Sequence, residues 1–331
     1  MNTKKNWQNL LVIDPTTILL SSGGTAINYF TRRDLLKEPV EPIDVIWESP
    51  GVQKLHKKQQ PDGSWDKSGK KANVYPPWHH KLVETFKRFR ILVERYKLTV
   101  KHPAIAKAAE FLFSCQSKEG DIRGFIGNQY ATYYTGYILS LLIRAGYEDD
   151  IRVEKGMRWL LSTRQDDGGW TTPILTHKYD RETGYRLTSQ NMKPIEPDRT
   201  KPLSHNWTDM VLRAFAAHPR YRQMKQAHDA GALLKSSFFL PDAYPSYRAP
   251  RYWTRFAFWW PNLLTALDSL YLLGFTRNDY DIRRGLQWFV DNQQSDGLWN
   301  LESHKDISAK DFEERLWLGL RICRMFKSYY P

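Results

Sequence analysis

Apolar residues recur at helical spacing along most of the chain. In residues 261–274, for example, Leu263, Leu264, Leu267 and Leu270 fall on one side of a helix. Similar apolar faces occur in residues 78–97, 133–145, 206–217 and 309–326, and residues 14–37 supply one more helical segment at the start. The sequence has no sustained apolar–polar alternation with a period of two, so the pattern predicts an all-α protein.

A short string, Q-x-D-G-x-W, occurs three times between these segments. The two later copies each follow a helix of the same form, at residues 156–161 and 285–290. Weaker copies lie at residues 108–120 and 230–239, so five copies recur at intervals of roughly 50 to 60 residues. The positions that the three clear copies share are Gln60, Asp62, Gly63 and Trp65; Gln165, Asp167, Gly168 and Trp170; and Gln294, Asp296, Gly297 and Trp299.

These residue types indicate a structural role at helix ends. Glycine stops a helix, aspartate favours the turn, the glutamine amide can pair with backbone groups at neighbouring helix ends, and the indole covers those groups from water. Each repeat therefore predicts a helical hairpin. Five or six hairpins can close into a ring around a central cavity, which is an α/α toroid, or stack into a solenoid. We expect residues 1–331 to form a single toroid domain.

The composition is that of a globular protein with an excess of aromatic residues. The chain has 331 residues, of which 41% are hydrophobic and 26% charged, and it carries 13 Trp, 18 Tyr and 15 Phe. Cys115 and Cys323 form neither a disulfide framework nor a metal-binding pattern, so we expect no metal and no cofactor. The few apolar residues between Trp7 and Asp14 are too short for a signal or membrane segment, which favours a cytoplasmic location.

The net charge is strongly positive, because 49 Lys and Arg oppose 36 Asp and Glu and leave +13. Such an excess suits nucleic acid, an anionic membrane surface or an anionic small ligand. The basic residues are scattered, and the sequence has no RNP, zinc-finger or P-loop pattern. We therefore expect a small apolar or anionic ligand and no nucleic acid, and the charge leaves open both a peripheral membrane contact and the oligomeric state.

The repeats resemble those of a known family. The string Q-x-D-G-x-W after a G-x-x-[WF]-[LF] helix is similar to the QW repeat of squalene-hopene cyclases and related class II terpene cyclases, and more loosely to the repeat of protein prenyltransferase β subunits. The similarity in repeat form covers roughly residues 45–326. The resemblance implies an α/α toroid with an apolar, aromatic cavity for an isoprenoid-like ligand, and one such barrel instead of the two of a full triterpene cyclase.

The catalytic motifs of the family are absent from this sequence. Class II cyclases protonate an alkene with a D-x-D-D-T-A element and hold the carbocation among aromatic rings. At the four acidic positions this chain has Ser204, His205, Asn206 and Trp207, and no D-x-D-D occurs elsewhere. The Asp, Cys and His that hold zinc in prenyltransferases and the D-D-x-x-D cluster of class I terpene synthases are also missing. The resemblance therefore implies the fold without the acid.

His205 and Asp209 are the candidate catalytic residues. They are four positions apart, so they share a helix face on which the carboxylate can orient the imidazole. A structural interpretation competes with this one: Asn206 and Asp209 are close to a capping box, and Asp209 with Arg213 has the spacing of a helical ion pair.

Polar and aromatic residues at the starts of the second helices are candidates for the cavity lining. Aromatic rings there could stabilise a cation or pack an isoprenoid, and Arg255 could bind a phosphate or carboxylate, although the rings could equally fill the interior of the fold. Adjacent histidines point about 100° apart on a helix, which disfavours a shared metal ion. The candidates are His79, His80, Tyr133, Tyr134, Trp253, Arg255, Trp259, Trp260 and Trp317.

Residues 171–204 form a long polar stretch with four prolines and no clear helical period. Loops of this length are commonly functional. Because the stretch precedes a second helix, we predict that it is a lid over the cavity mouth.

Three functions fit these observations. The first is a terpene cyclase-like enzyme acting on an isoprenoid, with Asp209 or His205 in place of the missing acid. The second is a non-catalytic toroid that binds a ligand or a protein partner. The third is a polysaccharide lyase-like enzyme acting on an acidic sugar, which the positive charge suits and the Q-x-D-G-x-W repeats disfavour.

Overall fold

A computed structural model describes residues 7–66, 78–245, 248–256, 260–302 and 308–331. These residues form helices joined by turns, with one isolated β-bridge between Gln116 and Ile122 and no longer strand in the described ranges. The predicted all-α class is therefore confirmed. The α-helices are α1 (Thr16–Ser22), α2 (Thr25–Phe30), α3 (Asp44–Trp47), α4 (Pro50–His56), α5 (His79–Glu94), α6 (Pro103–Ser114), α7 (Thr132–Leu142), α8 (Ile151–Ser162), α9 (Arg181–Ser189), α10 (His205–Ala217), α11 (Lys225–Ser236), α12 (Leu263–Leu272), α13 (Tyr280–Asp291) and α14 (Ala309–Tyr329).

The helices group into two compact units. Unit 1 comprises Met1–Ser49, Lys235–Pro241 and Ala249–Pro331, and unit 2 comprises Pro50–Leu234 and Asp242–Arg248. In unit 1, α14 packs against α12 and the N-terminal helices, and in unit 2, α7 packs against α5, α8 and α10. Each unit buries its own apolar side chains, among them Phe289 and Phe326 in unit 1 and Phe86 and Phe215 in unit 2.

The three motif tryptophans bind the backbone in one common way. The indole Nε1 of each donates to the carbonyl oxygen ten residues earlier, at 2.7–2.8 Å, and so satisfies a carbonyl in or just after the preceding helix. The backbone N–H of Trp65 and of Trp170 donates to a threonine hydroxyl on a later helix, Thr85 of α5 and Thr208 of α10. The carbonyl oxygen of Trp299 instead accepts from Arg315 Nε of α14 at 3.2 Å. Each tryptophan thus links two helices, as the sequence predicts.

The motif aspartates and glycines form the turn between the helices. The Asp62 carboxylate accepts from the backbone N–H of Ser64, and the equivalent bond recurs at Asp167 and Asp296. Gly63, Gly168 and Gly297 have φ of +84°, +102° and +82°, which side-chain-bearing residues rarely adopt. A Cβ on Gly63 would also lie 2.1 Å from the carbonyl oxygen of Lys107. Only glycine therefore fits this turn without strain.

In two of the three motif copies, the glutamine whose side-chain amide bonds backbone carbonyls of two different segments is not the predicted one. Gln59 Nε2 donates to the carbonyls of Gly63 and Ala104, and Gln293 Nε2 donates to those of Gly297 and Ile13. These residues lie one position before the predicted Gln60 and Gln294, whose backbone N–H groups instead close the turn. In the middle copy Gln165 Nε2 donates to the carbonyls of Asp198 and Lys201, which lie in the segment between α9 and α10, and Arg164 donates to the carbonyl of Gly168.

The N-terminal segment at residues 14–37 is not the one helix that its apolar pattern predicts. It divides into α1 and α2, followed by a π-helical turn at Thr31–Leu36. The break falls at Gly23 and Gly24, where Gly23 adopts an extended conformation. Paired glycines favour such a break because each loses more conformational entropy in a helix than other residues do.

Across the described ranges, no helix has both the length and the apolar character required to cross a lipid bilayer.

Candidate functional site

The candidate site in unit 2 lies at the starts of α7 and α10, which pack closely together. The two backbones approach so tightly at Gly136 that a Cβ there would lie 2.6 Å from Cα of Val211. Glycine at this position allows the contact, because a larger residue would push the helices apart. The first turns of the two helices carry the predicted residues Tyr133, Tyr134, His205 and Asp209.

Five rings form a continuous aromatic ladder at this end of unit 2. Trp207 stacks on Tyr133 with ring centroids 4.3 Å apart, and Tyr133 contacts Tyr134 at 4.5 Å. Tyr134 stacks on Phe125 at 3.6 Å and meets the edge of Phe86 at 5.4 Å. Tyr134 is half-buried, and the other four rings are buried. The mutual contacts fix the positions of the five rings, and Tyr134 is the most exposed of them.

The histidines at the start of α5 lie near the same rings. His79 Nδ1 is 2.6 Å from the carbonyl oxygen of Gly124, next to Phe125 of the ladder. His79 and His80 meet edge to face at 5.1 Å. No three His, Cys, Asp or Glu side chains in the described ranges are grouped as a metal ion would require.

His205 lies beside a carboxylate that the sequence analysis missed. Asp242 Oδ2 is 3.5 Å from His205 Nδ1 and accepts hydrogen bonds from Ser204 Oγ and from the amide and backbone N–H of Asn206. Its other oxygen accepts from the backbone N–H of Tyr244. Asp242 thus places a buried negative charge at the N-terminus of α10, where the helix dipole favours an anion.

The protonation of His205 follows from this environment. The side chain is 7% exposed, and burial lowers its pKa, although the charges of Asp242 and Asp209 act in the opposite direction. The imidazole is therefore neutral near pH 7, and the neighbouring Asp242 carboxylate favours a proton on Nδ1. A neutral ring of this kind can accept a proton on Nε2.

Asp209 forms a buried ion pair on the same helix. Arg213 Nη2 donates to Asp209 Oδ2 at 2.8 Å, and both side chains are at most 5% exposed. The guanidinium carbon of Arg213 lies 4.5 Å from the ring centre of Tyr137, whose hydroxyl donates to Glu94 at 2.7 Å. Burial and the Glu94 charge raise the pKa of Tyr137 to about 12. The geometry matches the structural interpretation of Asp209 as a helical ion-pair partner.

The remaining cavity candidates that the structure describes belong to unit 1. Trp253 is buried and donates from Nε1 to the carbonyl of Leu240 at 3.1 Å, and Arg255 pairs with Glu302 at 2.7 Å. Trp260 is half-buried and Trp317 is buried. Trp259 lies outside the described residues.

Residues 171–204 contain a helix that the sequence analysis did not predict. Asp180 caps α9, because its side chain accepts a hydrogen bond from the backbone N–H of Thr183. The segment is polar throughout, so this capping aspartate did not stand out in the sequence. Buried Gln129 fastens the segment after α9, because its amide donates to the carbonyl of Lys193 and accepts from the N–H of Ile195. The expectation of an unstructured loop was therefore wrong for α9.

Comparison with known proteins connects part of the chain to one family. Residues 81–191 match the family model of the squalene-hopene cyclase C-terminal domain. A squalene-hopene cyclase from Bradyrhizobium diazoefficiens is 29% identical over an alignment 133 residues long, which covers 36% of this chain and 18% of that enzyme. The match thus spans less than a fifth of the length of this curated relative.

Among solved structures, a protein from Actinoplanes is similar with a TM-score of 0.45 and 14% identity, covering 87% of this chain and 88% of that one. A variant of the type II terpene cyclase MstE from Scytonema, in complex with the substrate geranylgeranyl dihydroxybenzoate, has a TM-score of 0.43 and 11% identity, covering 87% and 85%. The family resemblance carried by the repeats is confirmed, and over residues 81–191 the chain is similar to the C-terminal domain of the squalene-hopene cyclases.

Proposed function

We propose that this terpene cyclase-like protein binds an isoprenoid or a similar apolar ligand along the aromatic ladder of unit 2. The observation that carries the proposal is the row of ring contacts from Trp207 through Tyr133 and Tyr134 to Phe125, with Trp207 two residues after His205 at the start of α10. Stacked rings offer both apolar area and a negative π-face to a ligand that is apolar or develops positive charge. We propose further that the helical hairpins close into a toroid and that residues 171–204 cover its mouth.

In this proposal the diphosphate of an isoprenyl diphosphate leaves with the C–O electron pair. A C–H bond next to the resulting carbocation then gives its electron pair to a new C=C bond and its proton to Nε2 of His205, and Asp242 positions the imidazole. The lowered pKa keeps the imidazole neutral and ready to act as a base. The Asp242 carboxylate, 3.5 Å from Nδ1, would then stabilise the imidazolium that forms. Asp209 fits a role as proton donor less well, because its Oδ2 already accepts a hydrogen bond from Arg213 as a carboxylate.

A second function, non-catalytic ligand binding, is favoured by one specific observation. At the position of the missing acid motif, Ser204 and Asn206 both donate to Asp242. These contacts resemble a helix cap more than an acid poised against a substrate. A protein of this kind would use the same ladder and release its ligand unchanged.

To test these proposals, the full chain is incubated with each member of a panel of isoprenyl diphosphates and with squalene. Ligand binding is followed by quenching of tryptophan fluorescence, and products are analysed by gas chromatography with mass spectrometry. We expect binding that Trp207→Leu weakens at least tenfold, whereas Trp288→Leu, at a half-buried tryptophan of unit 1, leaves it within twofold. A product that forms with the wild type and not with His205→Gln supports catalysis through His205. Binding without any product supports non-catalytic ligand binding. If no ligand binds, both proposed functions are overturned.

A further inference from the structure

A cluster of basic residues surrounds one carboxylate in unit 1. Asp34 Oδ1 accepts from Arg33 Nε at 2.6 Å, and its Oδ2 accepts from Arg324 Nε at 2.8 Å. Lys327 Nζ donates to the carbonyl oxygens of Asp34 and Leu35 at the end of the π-helical turn. We refer to Arg33, Arg324 and Lys327 as the basic cluster.

Aromatic rings hold the two guanidinium groups of the basic cluster in place. The guanidinium carbons of Arg33 and Arg324 lie 4.8 and 4.9 Å from the ring centre of Phe30, which is fully buried. Arg33 also lies 5.5 Å from the ring centre of Tyr29. Stacking restricts the rotation of both side chains, so the donors are arranged before any ligand arrives.

Positive charge is in excess around Asp34. The Asp34 carboxylate bonds two guanidinium groups, and Lys327 bonds only backbone carbonyl oxygens. Burial together with the nearby charge of Lys37 lowers the pKa of Lys327. The adjacent acidic residues are engaged elsewhere, since Glu38 pairs with Arg32 at 2.8 Å and Asp268 pairs with Arg321 at 3.3 Å. An added anion would therefore be attracted to this cluster.

The basic cluster is also accessible to solvent. The side chains of Arg33 and Arg324 are 34% and 20% exposed. Arg33 contacts Asp34 through Nε, and Arg324 does so through Nε and Nη2, so the terminal nitrogens of Arg33 and Nη1 of Arg324 are not bonded to Asp34. One guanidinium fork, the positive charge of a second guanidinium and an ammonium group are a donor set that suits the oxygens of a phosphate group.

We propose that the basic cluster of unit 1 binds a phosphate group, carried either by a soluble phosphate or diphosphate compound or by a phospholipid headgroup. The site is separate from the aromatic ladder, and the proposal does not depend on the function proposed for unit 2. The fork of Arg33 and the ammonium of Lys327 supply the solvent-facing contacts, while Arg324 supplies fixed charge.

The test measures binding of inorganic pyrophosphate to the full chain by isothermal titration calorimetry at low ionic strength. We expect saturable binding that Arg33→Gln and Lys327→Gln each weaken at least tenfold, with circular dichroism confirming that both variants fold. Arg33→Lys keeps the positive charge and loses the two-pronged guanidinium. Its affinity for pyrophosphate should therefore lie between those of the two glutamine variants and that of the wild type. Lys225→Gln, at an 84% exposed lysine paired with Asp229, should have no effect.

Sedimentation with vesicles distinguishes the two sources of the phosphate group. Vesicles of phosphatidylcholine with phosphatidic acid are compared with phosphatidylcholine alone. Pyrophosphate binding that the cluster variants lose supports a soluble ligand, and retention on phosphatidic acid vesicles alone, again lost in the variants, supports a lipid headgroup. Failure of both probes to bind, or equal binding by wild type and both cluster variants, overturns the proposal.

Discussion

The indole of Trp170 donates a 2.7 Å hydrogen bond to the carbonyl oxygen of Leu160, ten residues earlier in the chain. Trp170 is fully buried, so its loss leaves both a cavity and an unsatisfied carbonyl. We expect Trp170→Phe to lower the free energy of unfolding by about 2–4 kcal/mol. Urea unfolding followed by circular dichroism measures the change, and Trp78→Phe at the more exposed tryptophan is the control. Equal stability of the two variants would contradict the role of the indole as a clamp.

A second prediction about stability concerns the glycines of the motif turns. Gly63→Ala introduces a Cβ at positive φ and 2.1 Å from a backbone oxygen, so it should destabilise the protein by at least about 2 kcal/mol. The matched control is Gly184→Ala in α9, where a Cβ meets open space and the helix gains up to about 1 kcal/mol. Thermal unfolding of both variants would show shifts of opposite sign; a lower melting temperature for Gly184→Ala would count against the assignment of α9.

The sequence predicts repeating features of this fold better than single contacts. Trp65, Trp170 and Trp299 could be assigned because the same residues recur at the same spacing and make the same bond in each copy. The bridging role of Gln59 was missed, because the apolar pattern does not determine which of the adjacent residues Gln59 and Gln60 faces the neighbouring helix after the last helical turn. Asp242 was missed for a different reason: it lies 36 residues from Asn206 in a segment without a motif, so only the folded chain brings it to the start of α10.

Stability should depend on pH through His205. Burial lowers the pKa of His205 in the folded protein. Below the ordinary histidine pKa of about 6.5, His205 therefore binds a proton more readily in the unfolded chain than in the folded protein. The free energy of unfolding therefore falls as the pH drops below that value, and His205→Gln should show a shallower decline than the wild type. Burial also lowers the pKa of His218, so His218→Gln is measured in parallel. Identical pH profiles of wild type and His205→Gln would contradict this assignment.

The segment after α9 should be protected from proteases by Gln129. Its amide holds the backbone at Lys193 and Ile195, so Gln129→Leu removes both bonds and should release this part of residues 171–204. We expect faster tryptic cleavage in the variant after Arg199, the next residue after Lys193 at which trypsin can cut because Lys193 is followed by Pro194, and slower cleavage in the wild type when a ligand that binds unit 2 is present. Mass spectrometry of the fragments locates the cut. Unchanged cutting at saturating ligand would argue against the proposed lid.

Asp209 and Arg213 provide a test of whether this buried pair serves structure or catalysis. Asp209→Asn leaves the buried guanidinium of Arg213 without its counter-charge, which should lower the free energy of unfolding by about 3–5 kcal/mol. The double variant Asp209→Leu with Arg213→Met removes both charges, so it should recover most of that loss, because two apolar side chains do not require the desolvation of an ion pair. If the double variant regains stability and still binds ligand or forms product, Asp209 acts by holding α10. If it regains stability while product formation alone is abolished, the carboxylate takes part in the chemistry and the proposal for His205 must be revised.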